Sequence, residues 1–193
     1  QFGSKTDDTG LPLKDGAEAD YTKEEDMKLA NPGYSNNDGG SQSNCPACSM
    51  AYEMRRRGYE VTARESDQGL PGDQLASFFK DPEVYNVQPA YDNVYIDWQK
   101  GEYVNEGLSA AVQDQMSREE DGSRGVDWVN WYPEGSGGHI FNYEVENGEV
   151  VIYDGQPGEK HKLSDYSNKA ATWEYYRTDN LEPNVDEIKK VVK

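Results

Sequence analysis

The dipeptide Asn147-Gly148 lies between two runs in which apolar and polar residues alternate. Asn followed by Gly supplies the positive φ angles of a two-residue hairpin turn, so it is the strongest short hairpin signal in the chain. A two-residue turn sets Glu146 opposite Glu149, and from that register His139 faces Gln156 and Phe141 faces Asp154. Strand side chains alternate, so His139, Phe141, Tyr143 and Val145 share one face with Val150, Ile152, Asp154 and Gln156. This face is apolar beside the turn and polar at its open end. Burying His and Asp without partners is costly, so His139 and Asp154 are expected to partner each other as diagonal neighbours. Two readings follow from the hairpin alone. The pair closes a strand end, or the carboxylate orients an imidazole for proton transfer. Gly137 and Gly138 are expected to leave room for a group approaching His139.

A second segment decides between them. Asn44 is a favoured N-cap residue, Pro46 suits a first helical turn, and Ala47, Met50, Ala51 and Met54 recur at helical spacing up to Gly58. Cys45 then stands at a helix start, where the positive end of the macrodipole favours a thiolate. A thiol so placed, with an imidazole and a carboxylate elsewhere in the chain, is the equipment of nucleophilic catalysis.

The remaining segments are quieter. Residues 1 to about 30 are charged and aperiodic and are expected to be a flexible lead-in, with one domain over 31–193. Asn31-Pro32-Gly33-Tyr34 through Asp38-Gly39-Gly40 is turn chemistry. Tyr59 to Ala63 alternates as a strand does, and a short helix is expected around Asp73 to Lys80. Asn105 to Glu120 reads as a second helix carrying Leu108, Ala111, Val112 and Met116. Val126 to Trp131 reads as a further extended segment. Asn184 to Glu187 resembles a capping box opening a terminal helix. Hydrophobic residues make up only 34 % of the chain, and 14 of its residues are tyrosines, so the core must lean on amphipathic rings.

The net charge of -18 opposes binding to phosphate backbones or anionic lipid surfaces, so neither nucleic acid nor membrane is an expected partner. No apolar run approaches the ~18 residues of a membrane span. The start Gln1-Phe2-Gly3-Ser4 has neither a basic nor an apolar region, and the expectation is a processed chain or a domain excised from a longer protein.

The chain resembles the papain-fold toxins, glutamine deamidases found in polymorphic toxins and phage-associated proteins. The resemblance rests on Asn31-Pro32-Gly33-Tyr34, on Asn44-Cys45-Pro46-Ala47-Cys48 and Ala51 to Ala63, then on Gly138-His139-Ile140-Phe141, Asp154-Gly155-Gln156 and Tyr176 to Leu181. It implies an α+β, papain-like fold with an N-terminal catalytic helix packed on an antiparallel sheet. It further implies Cys45 as nucleophile, His139 as general base and acid, Asp154 as orienting carboxylate, and Gln156 as a substrate-binding or oxyanion residue. The family reads Asp-Pro-Gln where this chain has Asp154-Gly155-Gln156, so the loop is expected to run differently and the role of Gln156 is the one affected. A toxin or effector delivered into a target cell as part of a larger polypeptide is implied, with a protein substrate, an immunity protein as partner, and no cofactor or metal.

Rival readings concern single residues. Cys48 competes with Cys45 because Gln42 precedes it by six positions, the papain-protease spacing between oxyanion Gln and nucleophile. One turn deeper, Cys48 reads as a small apolar residue. A disulfide between the two would silence the enzyme. Zinc is disfavoured because His139 and His161 are 22 positions apart, and His161 reads as solvated. Arg55 to Arg57 reads as pairing with the chain's own carboxylates, and Trp128, Trp131 and Trp173 read as core or cleft rim. A papain-like protease would use the same triad, and a non-catalytic interaction module of a phage or mobile-element structural protein would retain the fold alone.

Overall fold

The structure is a computed structural model, and it describes residues 5–36, 39–65 and 72–193. Five α-helices occur among them: α1 (Lys23–Ala30), α2 (Cys45–Arg56), α3 (Glu106–Met116), α4 (Leu163–Ser167) and α5 (Val185–Ile188). The strands are β1 (Tyr85–Asn86), β2 (Val94–Asp97), β3 (Glu102–Asn105), β4 (Arg124–Trp131), β5 (Gly138–Glu146), β6 (Glu149–Asp154), β7 (Glu159–Lys162) and β8 (Ala170–Arg177). Helices beside antiparallel strands make this an α+β fold, as expected. The chain forms two compact units. The first takes residues up to Asp81, Tyr153–Glu159 and Asn180–Lys193, and the second takes Pro82–Ile152 and Lys160–Asp179.

The second unit is built on a sheet with strand order β1-β8-β4-β5-β6-β7. β4 runs antiparallel to β5 and β8, so that Val129 faces His139 on one side and Trp173 on the other. The turn from β5 to β6 has φ of 52° at Asn147 and 78° at Gly148, as the dipeptide demanded. Phe141, Tyr143 and Val145 are buried in one core with Ile152 and Trp173, and α3 adds Leu108, Val112 and Met116 to it. That helix starts where its sequence placed it, because the Asn105 side chain accepts the Leu108 N–H at 3.2 Å.

One acid interrupts this core. Asp127 is fully buried, its Oδ1 accepts the Trp173 indole N–H at 2.9 Å, and its Oδ2 has no partner among the described residues. Burial pushes its pKa well above the usual carboxylate range.

In the first unit, the segment read as a lead-in carries α1. A capping box opens it: Thr22 Oγ1 accepts the Glu25 N–H at 3.2 Å, and Glu25 Oε2 accepts the Thr22 N–H at 2.7 Å. α1 packs on α2 and buries Met27, Ala30 and Asp26. Asp26 lies 2.7 Å from Lys14 and 3.1 Å from Arg55, while Arg57 pairs with Glu53 at 2.9 Å and lies over the Phe79 ring. The basic run therefore pairs with the chain's own carboxylates.

Three local expectations are corrected. Tyr59 to Ala63 is extended but is not a strand. Its backbone bonds several segments in turn, as isolated bridges: Glu60 N–H to Pro12, Thr62 to Lys193 in both directions, and Ala63 N–H to Ala30. The helix expected around Asp73 is a 3-10 helix, Gly72–Phe78. At the terminal helix Asn184 forms no cap; its amide donates to the Ser77 carbonyl at 2.7 Å instead.

Candidate functional site

Cys45 is the first residue of α2, with Pro46 in the first turn, and it is half-exposed. Asn44 holds the N-cap position without capping. Its amide donates to Asn31 Oδ1 at 3.1 Å and to the Arg64 carbonyl at 3.0 Å, and its Oδ1 accepts the Cys48 thiol at 3.3 Å. The sequence expectation of a side-chain cap fails because distant partners hold the amide nitrogen and the thiol one turn along takes its oxygen. The first-turn N–H groups are thereby left to the main chain and to anything docked at the helix start.

Cys48 is fully buried. Desolvation pushes its thiol pKa far up, and the neighbouring Cys45 and Asp154 push the same way. A thiol so placed stays protonated and shielded, so Cys48 is the packing residue of the pair. The two cysteines are both free thiols.

Asp154 belongs to the same unit as Cys45. Its Oδ1 accepts the Gln156 N–H at 3.2 Å, and its carbonyl accepts the Gly158 N–H at 3.0 Å, closing a tight loop. A Cβ at Gly155 would lie 3.3 Å from the Cys48 carbonyl and 3.4 Å from Ala30 Cβ. The glycine thus lets this loop press against α2 where bulk would crowd it. Asn31 fastens the arrangement by donating from one amide to the Ser41 carbonyl at 2.8 Å and the Gln156 carbonyl at 3.0 Å. Gln156 is held here by its main chain. Asn31 opens a turn motif in the sequence, and local spacing carries no signal for its positioning role, since Gln156 is 125 residues away.

His139 belongs to the second unit, on β5. Its ring is half-buried among Phe141 at 5.7 Å, Tyr166 at 6.4 Å and Trp131 at 6.5 Å. Trp131 is therefore a neighbour of the candidate base, whereas Trp173 is core. The expectation that Gly138 leaves room for an approaching group is corrected, because a Cβ there would lie 2.6 Å from the Val129 carbonyl. The space belongs to β4. His161, read as solvated, lies on β7 with its ring 4.9 Å from Tyr166 and Nδ1 3.8 Å from Asp165.

A cleft of about 740 Å³ in the second unit is lined by Gln113, Glu146, Lys160, His161 and Asp165 among others, and by none of Cys45, His139 or Asp154. Its position gives no reason to move the candidate site there. Among the described residues no group of three or more His, Cys, Asp and Glu side chains is arranged to hold a metal ion.

A mixed helix and antiparallel-sheet fold offering a half-exposed thiol at a helix start is the architecture of a papain-like hydrolase. The model of the family described as papain fold toxin 1, glutamine deamidase, matches residues 43–159, more than half of the chain and the span that holds all the candidate residues. The chain belongs to this family, whose activity is a hydrolysis. No curated protein matches it.

Proposed function

We propose that this domain is a delivered toxin or effector that deamidates glutamine side chains of a target protein, with Cys45, His139 and Asp154 as its triad. The observation that carries the reading is the contrast inside α2: Cys45 is half-exposed at the helix start and Cys48 is sealed beneath it, within the span that matches the deamidase family.

The chemistry follows from these groups. His139 takes the Cys45 proton, and the thiolate adds to the side-chain amide carbon of a glutamine. Main-chain N–H groups at the helix start, where the Asn44 side chain makes no cap, hold the developing oxyanion in this reading. Protonation by His139 expels ammonia and leaves a thioester. Water then attacks with His139 as base, releasing glutamate and the free thiol. Asp154 orients the imidazole and stabilises its charged form. No step needs a metal or cofactor. Among the described residues no helix is long and apolar enough to cross a membrane. In this reading a larger polypeptide carries the domain into the target cell. A producing cell would need an immunity protein that covers Cys45.

The test is mass spectrometry of a target-cell extract incubated with the domain. Glutamine-containing peptides should gain about one dalton, the difference between an amide and an acid, and Cys45→Ala should abolish the gain. New peptide termini in place of that gain would indicate a protease. A thiol probe that labels Cys45 no faster than a free model thiol, with neither product, would indicate a non-catalytic module.

A further inference from the structure

The second unit carries an aromatic surface that the catalytic reading does not use. β2 and β3 form a separate two-stranded hairpin pairing Tyr95 with Val104, Ile96 with Tyr103 and Asp97 with Glu102. One face serves the fold. Tyr103 stacks on Tyr132 at 6.0 Å, and the buried Asn105 donates to the Ala170 carbonyl at 3.0 Å. The other face presents Tyr95 beside Asp97 and Glu102. Tyr95 is 47 % exposed, the neighbouring Tyr91 is 48 % exposed, and Trp98 at the hairpin tip is 85 % exposed.

These rings are presented by a fastened backbone. Asp97 Oδ1 accepts the N–H groups of Gln99 and Lys100, and the Asp97 carbonyl accepts the Gly101 N–H at 2.7 Å, closing the tip. The Tyr91 main chain sits directly on Gly107 of α3, between bonds from Ala90 N–H to the Gly107 carbonyl and from Glu106 N–H to the Asn93 carbonyl. Cross-strand packing accounts for an aromatic on a strand. It does not account for an indole in a turn, exposed to water and supporting neither strand.

The charge around the rings is one-sided. Asp92, Asp97, Glu102 and Glu106 stand against Lys100 and Lys169, the latter 3.6 Å from Glu102. Ring faces and carboxylates both attract cations, and the planar guanidinium stacks on aromatic faces while bonding carboxylates. A second copy of this chain, at -18, is repelled. Preformed aromatic anchors with an acidic rim are the features of a binding hot spot.

We propose that the Tyr91, Tyr95 and Trp98 surface of the β2–β3 hairpin is a docking site for an arginine-rich segment of a partner protein. Guanidinium groups lie on the Tyr95 and Trp98 rings and pair with Asp97 and Glu102. The site is independent of the triad, so its test reads binding and not turnover.

The experiment titrates the full chain into a dye-labelled nona-arginine peptide and follows anisotropy, with the citrulline counterpart as a neutral control. The native chain should bind nona-arginine and ignore the citrulline peptide. Trp98→Ala with Tyr95→Ala removes no charge and should weaken binding about tenfold, the combined worth of two ring contacts. Val84→Ala, at an exposed apolar residue away from the hairpin, should leave binding unchanged. Trp98→Ala alone, at the most exposed ring, should weaken it measurably and guards against a folding defect from Tyr95→Ala. Equal binding by native and ring-deleted chains would overturn the proposal, because overall charge would then suffice. Sedimentation revealing a native dimer that Trp98→Ala converts to monomer would overturn it in favour of a second copy.

Discussion

The two units each bury an aspartate, and they treat it in opposite ways. Asp26 in the first unit is fully buried among cations, with Lys14 at 2.7 Å and Arg55 at 3.1 Å. Asp127 in the second unit is just as buried, faces an aromatic and aliphatic core, and has one indole N–H as partner. Equal burial therefore has unequal consequences, decided by what is placed opposite the charge. The first unit uses ion pairs to join segments distant in sequence, and the second carries a polar group that its core does not balance. The two cysteines of α2, three residues apart, obey the same rule: Cys45 opens to solvent at a helix start, while desolvation holds Cys48 in its neutral form.

The largest expected effect tests that last contrast. Cys45→Ala should abolish deamidation, whereas Cys48→Ala should keep it and lose only packing, about 1 kcal/mol in urea unfolding. Iodoacetamide should alkylate Cys45 in the folded chain and reach Cys48 only after unfolding, as peptide mapping would read. Alkylation of Cys48 first would break the comparison.

Next is Asp26→Asn, which removes the buried counter-charge of Lys14 and leaves Arg55 with Glu60 at 3.6 Å. Removing one member of a buried ion pair costs about 3–5 kcal/mol, to be read as a lowered urea midpoint. A loss below about 1 kcal/mol would mean that the cluster relaxes into water.

Asp127→Asn should act in a pH-dependent way. The folded pKa of Asp127 is raised above an unfolded value of about 3.9. Its favourable contribution is therefore fully present below that unfolded value and is lost as pH rises toward the folded pKa. The amide does not titrate, so the stability of Asp127→Asn relative to native should improve steadily from pH 4 upward. A difference independent of pH would mean that Asp127 titrates as an exposed acid does.

The smallest effect is expected at the exposed pair of Arg118 and Asp114, 2.7 Å apart on the surface at the end of α3. Arg118→Ala should change stability by less than about 0.5 kcal/mol, since solvent and salt screen an exposed pair. Set beside Asp26→Asn, it measures what burial adds to a contact of the same length.

The features readable from the sequence are those whose cause lies within a few residues. The Asn147-Gly148 turn, the helix starting at Cys45 and the helix capped by Asn105 follow from φ preferences, first-turn chemistry and apolar spacing, which are local. The misread features have distant causes. Asn44 does not cap: Asn31 and Arg64 hold its amide nitrogen, and its oxygen accepts the Cys48 thiol. Asn184 does not cap because Ser77 takes its amide. Tyr59 to Ala63 has the alternation of a strand, yet the segments beside it pair with it only as isolated bridges in place of a ladder.

By itself, then, the sequence determined the turn between β5 and β6, the helices that follow Asn44 and Asn105, and the candidate site residues with the chemistry they are suited to, because helix periodicity, turn geometry and side-chain type are properties of neighbours in the chain. Only the tertiary structure decided which buried charge is matched, which cysteine is sealed, and why Gly155 and Gly138 must be small. Those outcomes depend on side chains and carbonyls brought together from far apart in the chain, and no local pattern encodes which groups will meet.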